Sequence, residues 1–247
     1  MEKNFFEWVM FFFQSNWQQF LLGTATTLLV SLSGTIIGFF LGLGVSLIQY
    51  TKTDDKSSTL FKGFIKFLKI LISIYITIFR GTPMIVQAMV IFYGLPQLIG
   101  LNLDPLPAAL LIVSINTGAY MAEMIRGGVD SVDPGQLEGA QAIGMSHFQA
   151  MLSIIFPQAV RNVLPSIGNE FIINIKDTSV LNVIGVTELF FTSKSIAGSY
   201  AKYYEVFIIT SVIYLFLTFT ISLILNAIEK KIDGPKNFEI LPLQDGN

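Results

Sequence analysis

From Trp8 to Thr51, not one of 44 consecutive side chains carries a charge. A helix needs only ~20 apolar residues to cross ~30 Å of hydrocarbon, so the run is about twice that length. No soluble domain can wrap so long an uncharged stretch. The rest of the chain agrees, with 52% hydrophobic residues, 22 Phe and only 13% charged residues in 247. Soluble domains carry ~25% charge; with half that, most of this surface must face lipid. The formal net charge of −2 provides no basic field for nucleic acid. With no cysteine and a single histidine, His147, the chain has no thiolate site, no Cys nucleophile and no disulfide. It reads as an all-α integral membrane protein.

Helix signals divide the chain. Ser15 and Gln18 have capping-box spacing, which predicts a helix from about Trp17 to Tyr50 after a short Phe-rich segment. The run is too long, and lacks the basic leader, for a cleavable signal peptide. Within it Gly34, Gly38 and Gly42 recur at every fourth position, a smooth stripe that either packs on another helix or merely reflects the frequency of Gly in membranes. Lys62, Lys66 and Lys69 recur between Phe61, Phe64, Ile65, Leu68 and Leu71, which suits a helix at headgroup level. Thr82-Pro83 is expected to cap the next helix, and Gly81 to Leu103 is a 23-residue uncharged span. Asp104-Pro105 starts a third span reaching Arg126.

Beyond Gly127-Gly128 a polar turn leads to Asp133-Pro134, the start of a short helix that Gly144 ends. Ser146 and Gln149 make a second capping box. From Phe148 to about Thr192, the apolar chain is interrupted by Pro157, Pro165, Arg161, Glu170, Lys176 and Asp177. A distorted span beside protein or a water-filled cavity is expected there. Val206 to Ile228 is a plain 23-residue span closed by Glu229, Lys230 and Lys231. Five crossings put the termini on opposite sides. The positive-inside rule then places the Lys52–Arg80 segment, Arg126, the 133–147 loop and Lys230, Lys231 and Lys236 in the cytoplasm. Only Lys3, Lys194 and Lys202 fall outside, so the N-terminus is out and the C-terminus in.

No Gly-x-x-x-x-Gly-Lys-Ser/Thr occurs, so the chain cannot cradle nucleotide phosphates in a P-loop. Energy for any transport must come from another subunit or from an ion gradient, and a membrane enzyme lacks a nucleophile–base pair or metal cluster. The helix near residues 136–147 presents Leu137, Ala140, Ile143 and Phe148 among small residues. It is either a docking element for a partner, with a small residue at 139 or 140 seated in a groove, or a surface-lying helix. Glu170 is the leading candidate for a ligand's ammonium group, with Asn169 beside it; a structural ion pair is the equal alternative. Asn116, Thr117 and Tyr120 either line the same cavity or join helices. Glu123 and Arg126 form an ion pair at i and i+3, Arg80 snorkels to the headgroups, and Lys176-Asp177 is a gate or an internal pair. His147 is polar surface.

Glu138-Gly139-Ala140, Gly144, Ile154 and Phe156-Pro157 are spaced as in the EAA loop of type I ABC-importer permeases, which the chain resembles. Gly139 stands in place of an Ala and Phe156 in place of a Leu. Further blocks are similar to the polar amino-acid branch of that family. They are Ile78-Phe79-Arg80-Gly81-Thr82-Pro83 with Gln87, Phe92-Tyr93-Gly94-Leu95-Pro96, Gly118-Ala119-Tyr120 and Arg126-Gly127-Gly128. Pro157-Gln158-Ala159, Asn169-Glu170-Phe171 and Lys176-Asp177-Thr178-Ser179 follow in order. One position departs, with Thr77 where an acidic residue is common. The resemblance covers about residues 23–228.

The resemblance implies a five-helix permease domain over about 17–231, an extracellular segment 1–16 and a cytoplasmic tail 232–247. It implies a plasma-membrane subunit paired with a second permease, two cytoplasmic ATPases and an extracellular solute-binding protein. ATP and Mg belong to the partner subunits, with no cofactor in this chain. Coupling would fall to Glu138, Gly139, Ala140, Ile143 and Gly144, and the substrate path to Glu170, Asn169, Asn116, Thr117, Tyr120 and Gln87. The expected cargo is glutamine or glutamate, then basic amino acids or cystine. An ion-gradient-driven transporter or channel is the competing class; the short chain, the lack of an inverted repeat and the loop helix oppose it.

Overall fold

The computed structural model describes residues 3–51 and 58–233; Lys52, Lys56, Lys236 and the tail beyond Asp233 lie outside them. Every element among the described residues is helical. The elements are α1 (Phe5–Tyr50), α2 (Thr59–Gly81), α3 (Met84–Ile99), α4 (Pro105–Asp130), α5 (Pro134–Ala142), α6 (His147–Ala150), α7 (Phe156–Asp177), α8 (Leu189–Tyr200) and α9 (Tyr203–Asp233). A π-helical turn, Met151–Ile155, joins α6 to α7, and a 3-10 stretch, Thr178–Ile184, follows α7.

The first helix starts earlier than its internal Ser15/Gln18 signal predicts. Asn4 accepts from the Glu7 amide and Glu7 returns the bond, so the capping box sits at residue 4 and residues 5–16 are already part of α1. Nothing between Phe5 and Gly23 breaks a helix, and burying Phe12 and Phe20 against Leu189, Ile196 and Val206 favours continuing it. At 1.5 Å per residue α1 is about 69 Å long, well over the bilayer thickness.

The glycine stripe is a packing seam. A Cβ on Gly38 would lie 2.7 Å from the Thr117 side chain, and one on Gly42 would lie 2.7 Å from the Ala122 backbone nitrogen. Gly34 faces Val113 in the same way. Backbone contact this close lets Ser46 reach across and donate to the Ala122 carbonyl, at 3.1 Å.

The lysine-bearing helix and the following apolar helix meet at Thr82-Pro83. Thr82 is the C-terminal cap of α2 rather than an N-cap, its hydroxyl donating to the Ile78 carbonyl, and Pro83 precedes α3. Ile72 and Ile76 of α2 pack on Ala122, while Ala88 of α3 joins Ala108, Ile112 and Leu181. The two helices therefore pack on opposite ends of α4, and α3 has only 16 residues. The expected uninterrupted stretch over 81–103 is corrected: α2 runs to Gly81, and α3 starts at Met84 and ends at Ile99.

The distortion expected between Phe148 and about Thr192 is present, but not at Pro165. α7 runs unbroken through Pro165. The irregular turns flank it: the π turn sits just before Pro157, whose ring would clash with a carbonyl four residues back, and the 3-10 stretch ends at Gly185 with φ +83°. From there the chain bends by 54° into α8.

Candidate functional site

Two regions carry the chemistry, one at the α5–α6 corner and one along α7. At the corner Asp133 caps α5 by accepting from the Gly135 amide at 2.7 Å, and Pro134 opens the helix. Gly144 turns the chain with φ +89°, a conformation that side chains rarely adopt. The Ser146/Gln149 capping box forms as the spacing predicts. Leu137 faces the chain's own core beside Val129, Met151 and Ile155, and Ala140 is only 3% exposed. Ala140 is thus corrected from a partner contact to an internal one. Glu138, Gly139, Ile143 (79% exposed) and Phe148 (58% exposed) point away from the chain, and a Cβ on Gly139 would meet nothing within 4 Å.

This corner is tied to three long helices. Gln158 of α7 reaches Gln136, and Asn162 donates to Ser131 at 3.0 Å. His147 places Nε2 3.2 Å from the Tyr50 carbonyl at the end of α1, so it is a contact between elements rather than bare surface. The Tyr50 hydroxyl in turn donates to Asp130 at 2.8 Å.

Asp130 belongs to a charged chain. Arg126 bridges Asp130 and Glu123, at 3.1 and 3.0 Å, and Glu123 also binds Arg80 at 3.1 Å. The Glu123–Arg126 pair is as expected. Arg80 has protein partners: it is held by Glu123 and lies over the Tyr120 ring, 5.7 Å from its centroid. Thr77 donates to the Ser73 carbonyl instead, so the pairing role passes to α4.

The residues assigned to a substrate path separate into two sets. Asn116 donates to the Gln87 side chain at 2.8 Å and to the Phe79 carbonyl at 3.3 Å. Gln87 donates to the Phe79 and Thr82 carbonyls at 3.0 and 2.9 Å. These are the carbonyls freed where α2 stops short of Pro83, so both amides satisfy a broken helix rather than a ligand. Thr117 and Asn174 exchange hydrogen bonds at 3.0 and 3.2 Å, and Asn174 also donates to Thr35 at 2.9 Å. That buried triad joins α4, α7 and α1 at the glycine seam. Asn116, Gln87 and Thr117 are thus all engaged in bonds between or at the ends of helices.

Asn169, Lys176 and Asp177 of α7 are exposed, and Lys176 and Asp177 do not form an ion pair with each other. Asn169 lines a cavity of about 390 Å³ between α1, α7 and α9, with Ser222, Asn226 and Glu229 on the far wall. Glu170 is buried, at 5% exposure. Among the described residues none forms an ion pair with it and none donates a hydrogen bond to it. Sequence reasoning missed Glu188, which is fully buried. It caps α8 through the Phe190 and Phe191 amides and accepts from the Tyr214 hydroxyl. Glu188 takes the N-cap place of α8, where Ser, Thr, Asp or Asn is usual, so the sequence carries no ordinary cap signal there.

The family described as the binding-protein-dependent transport system inner membrane component matches residues 60–234. The chain belongs to this family. It is 35% identical over 210 residues to the arginine transport system permease protein of Bacillus subtilis (strain 168), covering 85% of this chain and 90% of that one. It is 36% identical to the glutamine transport system permease protein of Escherichia coli (strain K12), covering 85% and 91%. Among solved structures, an amino acid ABC transporter crystallised with histidines is 35% identical, with a TM-score of 0.79, covering 94% and 100%. The MetNI methionine ABC transporter, at 17% identity and a TM-score of 0.68 over 87% and 96%, shares the fold. The resemblance to ABC-importer permeases drawn from the sequence motifs is borne out, and membership implies binding-protein and ATPase partners.

Proposed function

We propose that this permease is one membrane half of an ATP-driven importer of polar amino acids, with the N-terminus outside and the C-terminus in the cytoplasm. The observation that carries the proposal is the α5–α6 corner: capped, presenting Gly139, Ile143 and Phe148 outward, and tied behind to α1, α4 and α7. An apolar knob without an internal partner, mounted on three spanning helices, suits an ATPase that closes on nucleotide and pushes. ATP hydrolysis belongs to that partner.

We assign five crossings, to α1, the α2–α3 pair, α4, α7 and α9. Of these, α1, α4 and α9 are long and apolar enough by themselves. Substrate would arrive from an external binding protein and pass along α7 as the access side alternates. An exposed amide and two exposed charges on a spanning helix cannot rest in lipid, so that face borders the second permease or a water-filled path. Glu170, buried without an ion-pair or hydrogen-bond partner among the described residues, is the group we assign to a cationic part of the cargo. Relatives named for glutamine, arginine and nopaline support a polar amino acid; our own order is glutamine or glutamate first, then basic amino acids, then cystine.

The test is uptake by proteoliposomes holding the permease, its ATPases and its binding protein, with labelled glutamine, arginine and cystine in competition. Uptake that needs internal ATP and survives proton and sodium ionophores is expected. Uptake by the permease alone, abolished by an ionophore, would replace the proposal with a gradient-driven transporter.

A further inference from the structure

We propose that α7 is the seam along which two copies of this chain meet in the membrane, with Lys176 of each copy paired to Asp177 of the partner subunit. The proposal rests on the reading of this chain as one membrane half of a transporter, and it names the other half.

The two charges lie deep in the membrane. Asn174 of α7 exchanges hydrogen bonds with Thr117, which stands near the middle of α4 between Pro105 and Asp130. Lys176 and Asp177 follow Asn174 at about 3 and about 4.5 Å further along the helix axis. About 10 Å of a ~30 Å hydrocarbon layer therefore still separates them from the nearer headgroups. Both are exposed, and among the described residues neither side chain forms an ion pair or a hydrogen bond. Acyl chains cannot solvate charges at that depth, so another surface must cover them.

The uncovered face is a narrow line. At about 100° per residue, Ser166, Asn169, Ile173, Lys176 and Asp177 all fall within about 50° of one line down α7. Ser166, Asn169, Lys176 and Asp177 are exposed and Ile173 is half-buried. Asn174 turns away from the line and is buried between Thr35 of α1 and Thr117 of α4. Lys176 and Asp177 stand about 100° apart, one on each side of the line.

Such a face is complementary to itself. Two copies inserted in the same sense are related by a twofold axis along the membrane normal, which brings each residue level with its own counterpart. With the line turned to that axis, Lys176 of one copy and Asp177 of the partner subunit fall on the same side of it, offset by about 1.5 Å in height. The reverse pair forms on the other side. Four charges that lipid cannot solvate are then matched as two ion pairs, whereas an uncharged surface would leave this chain's two charges buried and unmatched. Charge complementarity thus favours a second copy as the occupant.

The experiment uses the full chain, which has no cysteine of its own, expressed in membranes and oxidised. Ile173→Cys, close to the line, should give a disulfide-linked dimer, and Leu215→Cys, exposed on α9, should not. In the Ile173→Cys background, Lys176→Asp alone and Asp177→Lys alone each set like charges together, and the cross-linked fraction should fall about tenfold or more. The exchange Lys176→Asp/Asp177→Lys keeps both pairs in reverse and should restore it. Co-expression of a Lys176→Asp copy with an Asp177→Lys copy rebuilds both pairs between unlike copies and should restore it as well. That second rescue cannot arise from misfolding or from a contact within one chain. Absence of a dimer from Ile173→Cys overturns the proposal, as does cross-linking to a protein of different mass, which would assign the face to a non-identical permease. Equal cross-linking in all the charge variants overturns it too, as does failure of both the exchange and the co-expression to restore the dimer. Cross-linking needs neither ATP nor cargo, so ionophore-sensitive uptake in the assay above would fail the importer reading and leave the seam standing.

Discussion

Replacing Gly42 and Gly44 in turn by Ala tests the α1–α4 seam, because the substitution is the same and the surroundings are opposite. A Cβ on Gly42 would sit 2.6 Å from the Met121 Cβ and 2.7 Å from the Ala122 backbone nitrogen. The second neighbour is backbone, so relief requires α1 and α4 to part by about 0.7 Å to reach ordinary contact near ~3.4 Å. Overpacking of this kind costs about 1–3 kcal/mol. At Gly44 a Cβ meets nothing within 4 Å. Helix propensity favours Ala by up to ~1 kcal/mol at both sites, so it cancels in the comparison. Gly42→Ala should therefore be less stable than Gly44→Ala by about 1–3 kcal/mol, or roughly 2–12 °C at 2–4 °C per kcal/mol. Thermal unfolding of the two purified permeases in one detergent reads this difference. Equal midpoints, or a more stable Gly42→Ala protein, would refute the seam.

Three further outcomes are expected. Asn174→Leu removes the amide shared by Thr35 and Thr117; the loss of bonding in a buried triad should cost about 1–3 kcal/mol, read as a lower unfolding midpoint, and an unchanged midpoint would show the triad to be dispensable. Glu170→Gln keeps shape and removes charge, so uptake and substrate-stimulated ATP hydrolysis should fall while assembly and basal hydrolysis persist; wild-type uptake kinetics would remove Glu170 from the path. The chain has no cysteine of its own, so Lys3→Cys should be labelled by an impermeant thiol reagent in intact cells and Asn247→Cys should not, the reverse pattern inverting the topology.

Local signals in the sequence were legible wherever a single residue type decides backbone geometry. Asp133-Pro134, Ser146 with Gln149 and Gly144 each fixed a boundary at the coupling corner, because caps and a positive φ depend on near neighbours. Thr82 misled for a related reason. The hydroxyl of a Thr before Pro serves equally as the cap of the next helix or as a donor to its own preceding turn, and only the packing of α2 and α3 on different ends of α4 selects the second. Side-chain destinations were the least legible. Asn116, Gln87 and Thr117 look like cargo ligands in a membrane helix, yet Asn116 and Thr117 find partners on other helices and Gln87 turns back on the carbonyls at the end of α2. Ala140 and Gly139 are adjacent small residues on one short helix; a rotation of about 100° per residue sends one inward and leaves the other exposed.

That exposed position gives the most direct test of the coupling account. Gly139→Trp adds a large side chain where the subunit itself has space for it, and the quantity to measure is ATP-dependent uptake by proteoliposomes containing the full complex. The variant should insert and unfold at the wild-type temperature, yet uptake should drop by about tenfold or more, because the partner surface can no longer close on α5. Uptake at the wild-type rate would contradict the assignment of this corner to the ATPase.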